Sequence, residues 1–188
     1  MIVRATTTLF VLLLSLLISF DSYADKPASG DDLVKVALEN LVPDQQGRTV
    51  VLVLKSEEKP PASAEKDEAK ESRVLPMTIG FEEARSIYVA FQKMAVPRPL
   101  THDLMKNIIE EYGGEVVSCA IMKMERETFF AELRLKRAGR EVVIDCRPSD
   151  AIALALRSGT PIYVKRAVFD RHSIDPAKPE QKKEVIKT

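Results

Sequence analysis

REVVIDCRPSDAIALALRSGTPIYV, Arg140 to Val164, decides the fold, because its 25 residues hold a strand, a helix entry, a helix, a glycine stop and a second strand. Val142, Val143 and Ile144 are β-branched and read as strand. Pro148 suits the first turn of a helix, where its missing N–H is not needed. Ile152, Leu154 and Leu156 supply an apolar helix that Gly159 ends. At the strand-to-helix turn Asp145, Arg147, Ser149 and Asp150 fall within six positions, beside helix N–H groups that favour acidic caps or anionic ligands.

Upstream, the pattern predicts three strands, Glu115 to Met124, Thr128 to Lys136 and Arg140 to Cys146. In the second, Phe129, Ala131, Leu133 and Leu135 share one face while Phe130, Glu132, Arg134 and Lys136 share the other. The last two strands form a hairpin about Ala138-Gly139. Placing Leu133 and Leu135 on a common buried face with Val142 and Ile144 sets Leu135 opposite Val142, Leu133 opposite Ile144, Lys136 opposite Glu141 and Glu132 opposite Asp145. A two-residue and a four-residue turn both satisfy this register.

Further upstream, Val74 to Ile79 reads as a strand. A helix follows from about Phe81 to Met94, with Ala84, Ile87, Tyr88 and Phe91 as its core stripe. The run Ala95-Val96-Pro97-Arg98-Pro99 forces an extended connection. Thr101 can then cap a helix to about Tyr112, stopped by Gly113-Gly114, with Leu104, Ile108 and Ile109 facing inward. Between Asp31 and Lys55 a helical stripe at Leu33, Val36, Ala37 and Leu41 competes with a hairpin about Asp44 to Gly47.

The ends read differently. Arg4, the apolar run Leu9 to Ile18 and Ser22-Tyr23-Ala24 make residues 1–24 a secretory signal rather than a spanning helix, so the chain is expected to be exported, periplasmic or secreted, without stable membrane insertion after cleavage. Residues 25–32 are expected to be a flexible N-terminus, 33–165 one domain carrying a flexible Glu-, Lys- and Pro-rich insertion at 56–73, and 166–188 a disordered tail. Cys119 and Cys146 would sit where disulfides are permitted. Their placement on core faces favours free, buried thiols, and their spacing fits no zinc site.

With 28 basic and 28 acidic side chains the formal charge is zero, which excludes the strongly basic footprint of a tight, non-specific nucleic-acid binder. Any phosphate-binding face is local. Glu132 opposite Asp145 would be repulsive, so the pair asks either for a hard divalent cation, Mg²⁺ or Mn²⁺, or for neutralisation by Arg134 or Arg147. Ser149 and Asp150 either cap the helix or, for Asp150, add an acidic ligand. Arg98 and Arg147 each precede a proline and a helix. They either bind phosphate there or pair with Asp103, Asp145 or Asp150. His102 is either a general base or an exposed first-turn side chain.

DCRPSDAIALALRSGTPIYV, together with LPMTIGFEEARSIYVAF and RPLTHDLMKNIIEEYGGEV upstream, resembles the bifunctional nuclease domain family, over about half the chain. The resemblance tips Leu33 to Leu54 towards strand. It implies an α+β domain, about three helices on an antiparallel or mixed sheet, that cleaves DNA and RNA phosphodiesters. On that reading Asp145 and Glu132 hold the metal, with Asp150 as a further acid. Arg98, Arg147 and Ser149 bind phosphate, and His102 or water manages protons. Nucleic acid is the implied partner, and self-association is compatible with the chain. The rival is a non-catalytic binding or assembly module of the cell envelope.

Overall fold

The computed structural model describes residues 32–58 and 73–176. The signal at 1–24, most of the N-terminal segment, most of the insertion and residues 177–188 lie outside them. Among the described residues a mixed seven-stranded sheet and four helices form the α+β domain. Its strands are β1 (Leu33–Pro43), β2 (Thr49–Ser56), β3 (Val74–Gly80), β4 (Gly114–Glu125), β5 (Thr128–Arg137), β6 (Arg140–Cys146) and β7 (Ile162–Lys165). The helices are α1 (Phe81–Phe91), α2 (Thr101–Glu111), α3 (Pro148–Ser158) and α4 (Arg166–His172).

Strand order is β3-β2-β1-β7-β4-β5-β6, antiparallel throughout except for the parallel pair of β4 with β7. The first segment is strand, as the resemblance implied, and Val34, Val36 and Leu38 bury its alternate residues. Register shifts at Leu38/Asn40 in β1 and at Val116/Ser118 and Ile121/Lys123 in β4 insert extra residues. Such bulges sharpen the twist. The sheet curls so far that β3 and the β4–β5 turn, four strand positions apart, line one cleft.

Helix α3 is the centre of the core. Ala151 to Ala155 are at most 1% exposed, and the small alanines let the helix lie close against β4 and β5. Ile152 and Leu154 each contribute about 1.5–3 kcal/mol of burial on this face. Pro148 begins the helix and Gly159 ends it at φ 66°, a left-handed C-cap that an L side chain would strain. Helix α1 packs on α3 and over β1 to β3, and α2 packs on α3 and β4, touching α1 through its first turn.

The β5–β6 register is the one the alternation demanded: Leu135 faces Val142, Leu133 faces Ile144, and Glu132 faces Asp145. A two-residue turn closes it. Ala138 and Gly139 both have positive φ, 48° and 76°, matching the primed turns whose twist suits a hairpin.

Burial departs from expectation in three places. Val142 and Ile144, expected inside, are 54% and 42% exposed, because β6 is the sheet's outer edge and none of the described helices covers it. Leu104 and Ile108 of α2 are about half exposed, as is Tyr88 of α1, while Ile109 and Ile87 turn inward. The expected tail is structured as far as residue 176: α4 buries Val168 and Phe169, and Val74 and Ile174 exchange backbone hydrogen bonds of 2.9 and 2.8 Å. Arg73 fastens this segment, stacking over Phe169 and donating to the Asp170 carbonyl at 2.8 Å.

Candidate catalytic site

Apart from Arg98, the predicted site residues fall into two groups on either side of the β6–α3 junction. Glu132 and Asp145 project from the sheet face opposite buried Ala131 and Leu133, hence away from the helices. Neither neutralising partner that the sequence offered is used. Arg134 pairs with Glu141 at 3.1 Å, and Arg147 pairs with Glu83 and Asp150. Among the described residues neither carboxylate of the pair has a salt bridge.

The second group is a chain of hydrogen bonds along the helices. No side chain caps the start of α3: the N-cap residue Arg147 makes no such bond, and neither Ser149 nor Asp150 accepts from a helix N–H. Asp150 instead accepts from Arg147 Nε at 2.8 Å and from an Arg147 terminal nitrogen at 3.0 Å, while the other terminal nitrogen donates to Glu83 at 2.9 Å. Asp150 also contacts His102 Nε2 at 3.1 Å, and His102 Nδ1 lies 2.8 Å from the Ser86 hydroxyl. A carboxylate only accepts, so Nε2 donates, and in the neutral ring Nδ1 accepts from Ser86. Ser86 in turn accepts from Arg157 at 3.3 Å, and Arg157 Nε meets Asp103 at 2.5 Å. The bonds run Arg157 to Ser86 to His102 to Asp150, with Arg147 closing the far end.

His102 is therefore buried, 9% exposed, and engaged at both nitrogens. It is neither an exposed first-turn histidine nor a free base. Thr101 is not a cap either: Leu100 takes that place, its N–H donating to Asp103 at 2.8 Å. Burial alone would raise the Asp150 carboxyl, but hydrogen bonds from Arg147 and His102, with the Arg147 charge, hold it below the usual carboxylate range.

Ser86, Glu83 and Arg157 are additions that the sequence reading missed. The available signal was spacing: Arg157 lies four residues after Ala153 and three after Leu154, hence on the buried face of α3, and its side chain is 5% exposed. Arg98 stays in the exposed connection between α1 and α2, and joins neither group.

A cleft of about 680 Å³ opens at the start of α3, lined by Arg147, Ser149 and Glu83 together with Thr78, Phe129 and His172. His172, assigned to the tail by sequence, meets Phe129 edge to face at 5.9 Å. Glu132 and Asp145 lie outside this lining. Between the groups sits Cys146, whose thiol is pushed up to about 11 by burial and then by Asp150, Asp145 and Glu132. Burial pushes Cys119 up to about 12, and both cysteines are free.

Among the described residues no three His, Cys, Asp or Glu side chains come together as a metal centre. Glu132 and Asp145 are the residues that could hold an ion, and one or two carboxylates are what Mg²⁺ takes from a protein, water and phosphate oxygens completing its shell.

The Bifunctional nuclease domain family matches residues 66–177. An uncharacterized protein of Mycobacterium tuberculosis is 42% identical over 102 residues, 54% of this chain and 60% of that protein. Bifunctional nuclease 2 of Oryza sativa subsp. japonica is 31% identical over 111 residues, 56% of this chain and 34% of its own length. Bifunctional nuclease 1 of Arabidopsis thaliana is 30% identical over 109 residues, with 56% and 34% covered. The chain thus spans 60% of the mycobacterial protein and about a third of each plant protein. With that match laid over most of the curled sheet and all four helices, the chain belongs to the bifunctional nuclease domain family.

Proposed function

We propose that this domain hydrolyses phosphodiester bonds in DNA and RNA, with Glu132 and Asp145 at the reacting centre. The observation that carries the reading is the opposed carboxylate pair on the open sheet face, without a salt bridge among the described residues, in a chain of a nuclease-named family. Two like charges held together by a rigid hairpin store repulsion, and a bound cation relieves it. Glu132 and Asp145 would hold Mg²⁺ or Mn²⁺, which polarises a phosphodiester and stabilises charge on its oxygens.

The chain's other residues, across the β6–α3 junction from the carboxylate pair, would bind and position flanking phosphates. Arg147 has a 65% exposed side chain at the positive end of α3, and its guanidinium can turn a face to a phosphate while Glu83 and Asp150 fix its orientation. Arg98 supplies a second exposed cation, and Ser149 lines the same cleft as Arg147. His102 acts through Asp150, holding the carboxylate that holds Arg147. The domain is proposed to work outside the cytoplasm, and an N-terminus at Asp25 by mass spectrometry of protein from its native host would support this.

Purified mature protein, incubated with single-stranded DNA or RNA, should cleave with Mg²⁺ or Mn²⁺ and stop with chelator. Asp145→Asn should abolish cleavage without loss of fold by circular dichroism. No cleavage with any divalent ion would favour the binding-module reading, for which the pairing of Arg147 with two acids is the supporting observation.

A further inference from the structure

The two edges of the sheet are treated differently. On β3 the first residue, Val74, is bridged by Ile174, and β3 otherwise leads straight into α1. Nothing among the described residues pairs with the outer side of β6, and its middle is apolar: Val142, Val143 and Ile144 are 54, 48 and 42% exposed. Natural edge strands are ordinarily blunted by charge, proline or a covering element, because their free N–H and C=O groups recruit another strand.

In the two-residue hairpin Arg137 pairs with Arg140, and that closing pair is hydrogen-bonded. Alternation then turns the backbone groups of Glu141, Val143 and Asp145 outward, available to a partner. We infer that β6 pairs antiparallel with β6 of a second copy of this chain, about a two-fold axis at Ile144. The inference is independent of the nuclease reading.

The register follows from the side chains. A two-fold perpendicular to the sheet keeps like faces together, so the axis falls on a residue. At Val143 it would set Glu141 opposite Asp145 twice, like charge against like. At Val142 it would set Arg140 against Ile144. At Ile144 it aligns Val142 with Cys146, Ile144 with Ile144 and Cys146 with Val142, one apolar row across both copies on the helix side. It also sets Glu141 opposite Arg147, whose extended backbone, φ −70° and ψ 145°, continues the strand direction.

The helix layer adds area on the same flank. Helix α2 packs on α3 and β4, and its C-terminal end reaches this edge: Ile109 lies against Gly114, close to the Lys136 carbonyl and beside the β5–β6 hairpin. Its outward stripe is Leu104, Ile108 and Tyr112, 54, 49 and 69% exposed. At the end nearest the hairpin, Ile108 and Tyr112 add exposed apolar side chains to those of β6, towards the interface of about 800 Å² per partner that a stable dimer needs. In this register the two Asp145 carboxylates lie diagonally across the axis on the open face, so each copy's carboxylate pair borders the other's.

Light scattering after size exclusion of the full chain should give a dimer. Val143→Pro removes an outward N–H but none that bonds β5, and should give a monomer that is folded by circular dichroism. In a Cys146→Ser background, mild oxidation of Ile144→Cys should yield a disulfide-linked dimer, because the two new thiols face each other at the axis. Val143→Cys should not, since its neighbour is Asp145. If the proline variant unfolds, the thiol pair decides alone. A monomer at all concentrations, a folded proline variant that stays dimeric, or equal cross-linking through Val143 overturns the inference.

Discussion

Glu132 stands directly opposite Asp145 across the β5–β6 ladder, and among the described residues no basic side chain bridges them. Structural carboxylates are ordinarily paired, so an unpaired couple in a well-ordered hairpin is a local cost that the fold retains. Neutralising one member should raise stability, by about 0.2–1 kcal/mol, while lowering cleavage. Thermal melts of Asp145→Asn and Glu132→Gln alongside cleavage assays check both signs. A fall in stability for both variants would mean that the pair is held by contacts other than a cation.

The ion pair of Arg157 with Asp103 should be the most costly polar contact to break on one side only. The Arg157 side chain is 5% exposed, and it also donates to the Ala153 and Ser86 carbonyls at 3.0 and 3.2 Å. Removing Asp103 strands a buried guanidinium, for which about 3–5 kcal/mol is expected. Replacing the cation itself with an apolar side chain of similar length strands much less charge. Urea midpoints should therefore fall further for Asp103→Ala than for Arg157→Met.

Those two cases show where sequence suffices and where it stops. Parity, with the turn centred on Ala138-Gly139, placed Glu132 against Asp145, because a one-residue slip would have turned Leu133 and Leu135 away from Val142 and Ile144. Parity says which side chains share a face, and nothing about whether another layer covers it, so exposed Val142 and Ile144 could not be foreseen. The same holds for α2, whose apolar stripe is real but points partly to solvent. The hydrogen-bond chain was out of reach for a different reason. His102 meets Ser86 across 16 residues and Asp150 across 48, and such contacts are set by how α1, α2 and α3 pack rather than by any local spacing. Helix α4 was masked by composition, since Val168 and Phe169 stand alone in a polar stretch and are drawn in only by the curl of the sheet.

Acid should weaken the fold from a defined direction. Burial alone would raise the carboxyls of Asp103 and Asp150, yet hydrogen bonds from Arg157 and the Leu100 N–H in one case, and from Arg147 and His102 in the other, leave both below the usual range. A carboxyl with a depressed folded-state pKa contributes stability that is present above its unfolded value and lost as pH falls through the folded one. For these two groups the contribution should be constant from neutrality to about pH 4 and then decline. Unfolding free energies of Asp150→Asn, measured against pH, should lose part of that acid limb. An unchanged slope below pH 4 would rule out Asp150 as a contributor.

His102 separates positioning from proton transfer. Its ring is tied at Nδ1 to Ser86 and at Nε2 to Asp150, and only 9% of the residue reaches solvent, so a substrate cannot approach either nitrogen without breaking a bond. Losing a general base slows a reaction by about 10²–10⁴-fold. Losing an orienting side chain whose amide substitute can still reach one partner should cost far less, and should act on substrate binding through Arg147. His102→Gln is expected to keep cleavage within about tenfold of the parent chain, to raise KM more than it lowers kcat, and to leave the shape of the pH profile near neutrality unchanged. Ser86→Ala should be milder in activity, yet destabilising by about 1–3 kcal/mol, because it leaves Nδ1 and an Arg157 N–H without their shared partner. A thousandfold loss of kcat in folded His102→Gln, with the neutral limb of the pH profile gone, would return His102 to the role of base and require the Ser86 to Asp150 chain to open during turnover.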